Sequence, residues 1–132
     1  MIKYTPAPDI KNVAEEIVYT MNWDHVFLDS IGFVRSHGSM ARRTIARCHA
    51  LGKAMQVGMG RIKGFYLIEV ISENFDKLPS QEKIKVVIHE LMHIPKSFGG
   101  GFIHHDKVHD RSVEKVYQNF IELKREKESK WF

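Results

Sequence analysis

The chain has 132 residues, 43% of them hydrophobic, with a formal charge of +4 and one cysteine. This length and apolar fraction suit one globular domain with one core, expected over residues 1–132. The lone Cys48 excludes an intramolecular disulfide and a Cys-rich zinc module, so any metal site must be built from His and carboxylates.

Pro6 and Pro8 introduce a first helix over about residues 9–22, with Asp9 as its expected N-cap and Ile10, Val13, Ala14, Ile17, Val18 and Met21 at helical spacing. The same N-terminal stretch carries Lys3, Asp9, Lys11, Glu15 and Glu16, so it does not read as a signal peptide. No apolar run reaches the roughly 18 residues of a membrane span, and a soluble, cytoplasmic protein is the expectation. Asp24 to Ser30 reads as a connector and Ile31 to Ser36 as a short strand ended by His37-Gly38-Ser39. Thr44 to Leu51 alternates weakly and reads as a second strand, followed by a glycine-punctuated loop from Val57 to Gly64. Phe65 to Ser72 is rich in β-branched and aromatic residues, and its near-continuous apolar run predicts a strand buried on both faces. After a turn or helical stub over 73–79, Ser80 is the expected N-cap of a helix carrying Glu82 in its first turn. Ile84, Val87, Ile88, Leu91 and Met92 form its apolar stripe. Pro95 stops that helix just after His93, because proline lacks an N–H and disfavours the α region in the residue before it. Gly99-Gly100-Gly101 then permits a tight reversal, and Val108 to Lys127 reads as a last helix.

At the end of the stopped helix stands His89-Glu90-Leu91-Met92-His93, an HExxH motif. Residues four apart lie one turn above each other on a helix face, so His89 and His93 can offer two imidazole nitrogens to one ion. Glu90 projects about 100° round from His89, which suits a general base that reaches a metal-activated water without ligating the metal. Composition alone would produce about 0.04 such motifs in a chain of this kind, so the motif calls for corroboration. The glycine reversal followed by His104, His105 and His109 supplies it, because a catalytic zinc takes three protein ligands and keeps one position open. His105 is the expected third ligand, with His104, His109 and Glu114 as alternatives, and one zinc per chain is expected. Asp106 is read either as orienting a liganding imidazole or as a helix N-cap. The oxyanion partner stays open between Tyr117 and an unused histidine. His25, His37 and His49 read as scattered histidines and Cys48 as packing. Arg42, Arg43 and Arg47 form a local basic group that offers nucleic acid as an alternative partner. Lys124, Arg125 and Lys127 alternate with Glu122, Glu126 and Glu128 as on a solvated helix face.

At Arg43 to His49, Tyr66 to Ser72, His89 to Pro95, Phe98-Gly-Gly and His104-His-Asp106 the chain resembles a family of small, predicted metallopeptidases of archaea and phages, within the zincin superfamily. The resemblance covers most of the chain. It implies an α+β fold, with a small mixed sheet packed with an N-terminal helix, an HExxH active-site helix and a C-terminal helix. It also implies peptide-bond hydrolysis of a peptide or protein substrate, with an edge strand available to pair with it. The chain is similar in outline to SprT-like proteases, but no Cys-rich ribbon or DNA-binding module marks a DNA-repair role. The metzincin pattern is not met, since Lys96 and Gly99 stand where that pattern has glycine and histidine. A rival reading is a metal-stabilised zincin module that binds or regulates without turnover. Oligomeric state is not legible in the sequence.

Overall fold

The computed structural model describes residues 1–129, so the expected domain over 1–132 runs three residues beyond them. Ten segments follow in order: β1 (Lys3–Pro6), α1 (Pro8–Met21), a 3-10 turn (Leu28–Ser30), β2 (Ile31–His37), β3 (Ala46–Ala50), α2 (Lys53–Gly58), β4 (Tyr66–Ile71), α3 (Ser72–Phe75), α4 (Ser80–Met92) and α5 (Asp110–Ser129). The four strands form one mixed sheet in the order β1-β2-β4-β3. β2 runs parallel to β4, whereas β1 and β3 are antiparallel edges. This α+β arrangement agrees with the one implied by the resemblance.

β4 lies between β2 and β3, and its apolar sequence explains why. Tyr66, Ile68, Val70 and Ile71 are fully buried, while Leu67 keeps partial exposure. One polar residue interrupts the run. Glu69 is buried beside His49 (Nε2 to Oε1, 2.8 Å) and within 3.9 Å of Arg47, so its charge is matched from the neighbouring strand. Burial raises its pKa, but polar groups of Ser36 and His49 and the charge of Arg47 outweigh that, and the carboxyl sits below its ordinary value.

Helices α1, α4 and α5 pack on one another, with α1 also against β2 and α4 against β3. Ile10, Ala14 and Ile17 of α1, Val87, Ile88 and Leu91 of α4, and Val113, Tyr117 and Phe120 of α5 face this core. Full burial of a side chain such as Ile88 or Leu91 contributes about 1.5–3 kcal/mol. That anchors the helix bearing the HExxH motif.

Several boundaries and caps differ from the sequence reading. Lys3–Pro6 forms a strand because β2 offers it a partner, and its edge position tolerates Pro6, which has no N–H to give. Asp9 does not cap α1. The cap is Ala7, without a side-chain hydrogen bond, and Asp9 instead grips the Arg35 guanidinium (2.5 and 2.7 Å), which also reaches Asp76. Ser80 is the first residue of α4 and not its cap, which is Pro79. Lys53–Gly58 is helical where a loop was read from Val57, with Gln56 buried and its amide donating to Ile62 O. The last helix starts two residues later than read.

Candidate metal centre

α4 ends at Met92, and His93 is its C-cap with a still-helical backbone. His89 and His93 therefore keep the one-turn spacing, with ring centroids 5.0 Å apart. Glu90 lies between them in sequence, buried at 6% exposure, with Oε2 4.0 Å from Nε2 of His89. The residues after Pro95 then double back. Phe98 adopts a left-handed conformation (φ 48°) and packs edge-on against Phe27 and Tyr66, and Gly100 takes φ 100°, which favours glycine.

The approach to β4 fixes that reversal. Gly64 N–H donates to Phe98 O (2.9 Å), and a Cβ at Gly64 would meet Gly100 N at 2.7 Å, so only glycine allows the two backbones this close. The Tyr66 hydroxyl accepts from Gly100 N–H (3.1 Å) and donates to Gly101 O (2.7 Å). Beyond it the loop is joined to the end of α4 in two directions: Ile103 N–H donates to His93 O (2.8 Å), and His93 Nδ1 donates to Ile103 O (2.5 Å). Phe102 stacks on the His93 ring at 4.4 Å. With Nδ1 used as a donor, His93 Nε2 is left as the free lone pair.

The chain next delivers His105. Its Nε2 lies 3.4 Å from Nε2 of His89, and one ligand atom from each of His89, His93 and His105 falls within 4.8 Å of the others. This set fits a metal ion. Zinc–nitrogen bonds of about 2.0–2.1 Å in tetrahedral geometry place ligand nitrogens about 3.4 Å apart. Burial first, then the neighbouring His93 and His105, push the His89 pKa down to about 4, and burial likewise lowers that of His93. Neutral imidazoles are the liganding form. Burial pushes Glu90 the other way, up to about 7.

The alternatives to His105 are engaged elsewhere. His104 packs against Phe102. His109 caps α5, its ring Nδ1 accepting from Ser112 N–H (3.2 Å) while its own N–H donates to Ser112 Oγ. Glu114 pairs with Lys85 (2.9 Å) and Gln118 (3.0 Å). Asp106 is exposed in a turn four residues before α5 begins, so it is not that helix's cap. Among the other histidines, His37 bonds Thr5 and His49 bonds Glu69. Burial, with Glu90 nearby, pushes the Cys48 thiol up to about 12, so it packs and does not react. Tyr117 is buried under Lys85 and does not line the cleft.

A cavity of about 510 Å³ opens beside His89 and Glu90, walled by Arg43 to Ala46 on one side and by Glu82, Lys85, Asp110 and Glu114 on the other. Asp110 and Tyr66 were given no site role from sequence, Gly64 was read only as a loop glycine and Arg43 only as part of a basic group. Nothing local distinguishes Tyr66 from the other apolar positions of its strand, because its hydroxyl's partners lie 34 and 35 residues away.

Residues 2–127 match the model of the family described as "Putative phage metallopeptidase". The chain belongs to that family. No curated protein and no solved structure matched the chain. Membership in this metallopeptidase family implies a metal cofactor, hydrolase chemistry and a peptide or protein substrate. Among the described residues no helix is long and apolar enough to cross a membrane.

Proposed function

We propose that this family member is a zinc-dependent peptidase in which His89, His93 and His105 hold one zinc and Glu90 is the general base. The observation that carries the reading is the convergence of three imidazoles beside a buried carboxylate on the wall of an open cleft. Held by these three residues, zinc would supply a water of lowered pKa and a Lewis acid for the scissile carbonyl. Glu90 is within reach of a water placed next to His89 Nε2, takes its proton and returns it to the leaving amine. Burial raises the pKa of Glu90, which favours its taking up that proton. His93 is held in one tautomer by Ile103, which leaves its Nε2 lone pair free to hold the ion.

The substrate main chain has a place to pair. Ile71 N–H donates to Ile45 O and Leu51 N–H to Phe65 O, so the odd-numbered residues around β3 turn their main chain towards β4. Ala46, Cys48 and Ala50 therefore turn N–H and C=O to the free edge of the sheet, where an extended peptide can add as a strand beside the cleft that Glu90 lines.

The test pairs metal content with a Glu90→Gln variant. Wild type purified without an affinity tag is expected to carry about one zinc and to cleave a peptide library, with loss on chelation and recovery on zinc addition. Glu90→Gln is expected to keep the zinc and to lose about 10²–10⁴-fold in turnover. Equal cleavage by variant and wild type would leave only the non-catalytic, metal-stabilised module.

A further inference from the structure

From Ser30 to Ile68 the chain contains no Asp or Glu, yet it holds seven Lys and Arg. With +4 on the whole chain, the other residues together carry −3. This acid-free stretch is β2, β3, α2 and the first half of β4, and the free edge of the sheet lies inside it.

Three of its seven cations have polar partners, and a fourth, Lys63, lies 3.7 Å over the Phe27 ring. Arg35 is held by Asp9 and Asp76, Arg61 bonds Ser30 and Gly64 O over the Phe65 ring, and Arg47 lies 3.9 Å from Glu69. Arg42, Arg43, Lys53 and Lys63 are exposed and, among the described residues, have no carboxylate within 4.0 Å. Their placement follows β3. Asn74 holds Ala41 O and Thr44 O (2.8 Å each), which fixes the segment bearing Arg42 and Arg43 at the start of the strand, and Arg43 reaches the cleft wall. Lys53 opens α2 just beyond the other end, and half-exposed Arg47 stands between. The same two flanks expose apolar side chains: Met40 (94%) at one end, and Met55, Val57, Met59 and Ile62 (60–95%) at the other. Unbranched methionines at such a surface adapt to varied side chains.

We propose that the segment this site takes is an acidic stretch of polypeptide, lying extended on the β3 edge with carboxylates towards Arg42, Arg43 and Lys53 and apolar residues over the α2 methionines. This rests on the peptidase reading and names its substrate class. A polypeptide fits better than a nucleic acid for two reasons. The outward N–H and C=O groups of Ala46, Cys48 and Ala50 match a peptide backbone, whereas phosphates would leave the carbonyls unpaired. Exposed Met and Ile side chains match apolar residues and have no counterpart on a sugar-phosphate chain. The opposite wall of the cleft holds Glu82, Asp110 and Glu114 against Lys85 alone, which bonds both glutamates, so the carboxylates of the segment are assigned to the β3 edge beside Arg42, Arg43 and Lys53 and away from that wall.

The experiment uses zinc-loaded Glu90→Gln protein and two fluorescent peptides of identical apolar content, one carrying Glu and the other Lys at the same positions, with single-stranded DNA as a third probe. Binding is read by anisotropy at low and moderate salt. The Glu peptide is expected to bind about tenfold tighter than the Lys peptide, as three exposed charge pairs predict, with the gap narrowing as salt rises. Replacing Arg42, Arg43 and Lys53 together by Glu is expected to reverse the order and, in the active enzyme, to raise KM for the Glu peptide more than it lowers kcat. Circular dichroism and melting confirm that the variant is folded. Equal binding of the two peptides, binding of neither, tighter binding of DNA, or an unchanged order in the variant each overturns the proposal. Cleavage by wild type is followed in parallel. An enzyme that cleaves both peptides equally overturns the charge preference alone, whereas one that cleaves neither overturns the peptidase reading while anisotropy still reports on the surface.

Discussion

Replacing Tyr66 by Phe removes a single oxygen from a fully buried side chain and leaves its ring in place against Phe98, 4.9 Å away. Two hydrogen bonds go with it, one accepted from Gly100 N–H and one donated to Gly101 O. Each is worth about 0.5–1.5 kcal/mol net. Gly101 is exposed and Gly100 half-exposed, so water recovers part of the loss, which puts the destabilisation at about 1–2 kcal/mol. In a chain of this size the metal-free melting temperature then falls by roughly 5 °C. The larger expected effect is on the metal. The freed loop leads directly to Ile103, which orients His93, and to His105, and loosening such support costs about 10–100-fold in affinity. Thermal melts with and without zinc separate the two effects. At a zinc concentration about 1,000 times the wild-type Kd, binding stabilises wild type by about 4.1 kcal/mol, and a 10- to 100-fold weaker variant gains only about 2.7 to 1.4 kcal/mol. If Tyr66→Phe melts lower without metal but gains as much as wild type from zinc, the hydroxyl supports the fold alone and its link to the ligand loop is refuted.

Single substitutions distinguish the histidines. His105→Ala is expected to lose zinc in equilibrium dialysis while His104→Ala and His109→Ala retain it, and the His109 variant should also lose about 1 kcal/mol of stability with the cap of α5; zinc retention by His105→Ala would refute the ligand set. The Arg35 junction sets a pH dependence. The hydrogen bond from Arg35, and then its charge, hold the Asp9 pKa below its ordinary value, so this pair's contribution is complete above about pH 4 and is lost as pH falls through the folded-state pKa. Urea melts of wild type and Asp9→Asn should differ by about 0.2–1 kcal/mol at neutral pH, a small figure because the Asp9 side chain is 58% exposed, and should converge in acid. A gap that stays constant down to the lowest pH would exclude the pair as its source.

Part of the site was legible because it is local. The spacing of His89 and His93, the place of Glu90 and the stop at Pro95 follow from backbone hydrogen bonds that repeat along α4, so sequence distance converts directly into spatial distance. The same applies to the apolar stripes of α1 and α5 and to the β-branched run of β4. Boundaries and caps were less secure, as Asp9 illustrates: it is a good capping residue by type, but Arg35, 26 positions away, takes its carboxylate. β1 was missed for a related reason, since four residues containing a proline become a strand only when β2 lies alongside.

What only the tertiary structure decided is which histidine lies beside the pair. His104, His105 and His109 sit in a loop with no repeating hydrogen bonds, so nothing in their own spacing fixes where they point. Their positions are set by Gly64 and Tyr66 on the approach to β4 and by Ile103 bonded to His93, contacts spanning 10 to 35 residues. The sequence by itself determined half of the histidine cluster, together with the helix that carries it. The other half needed the sheet, because a loop takes its shape from whatever it is packed against.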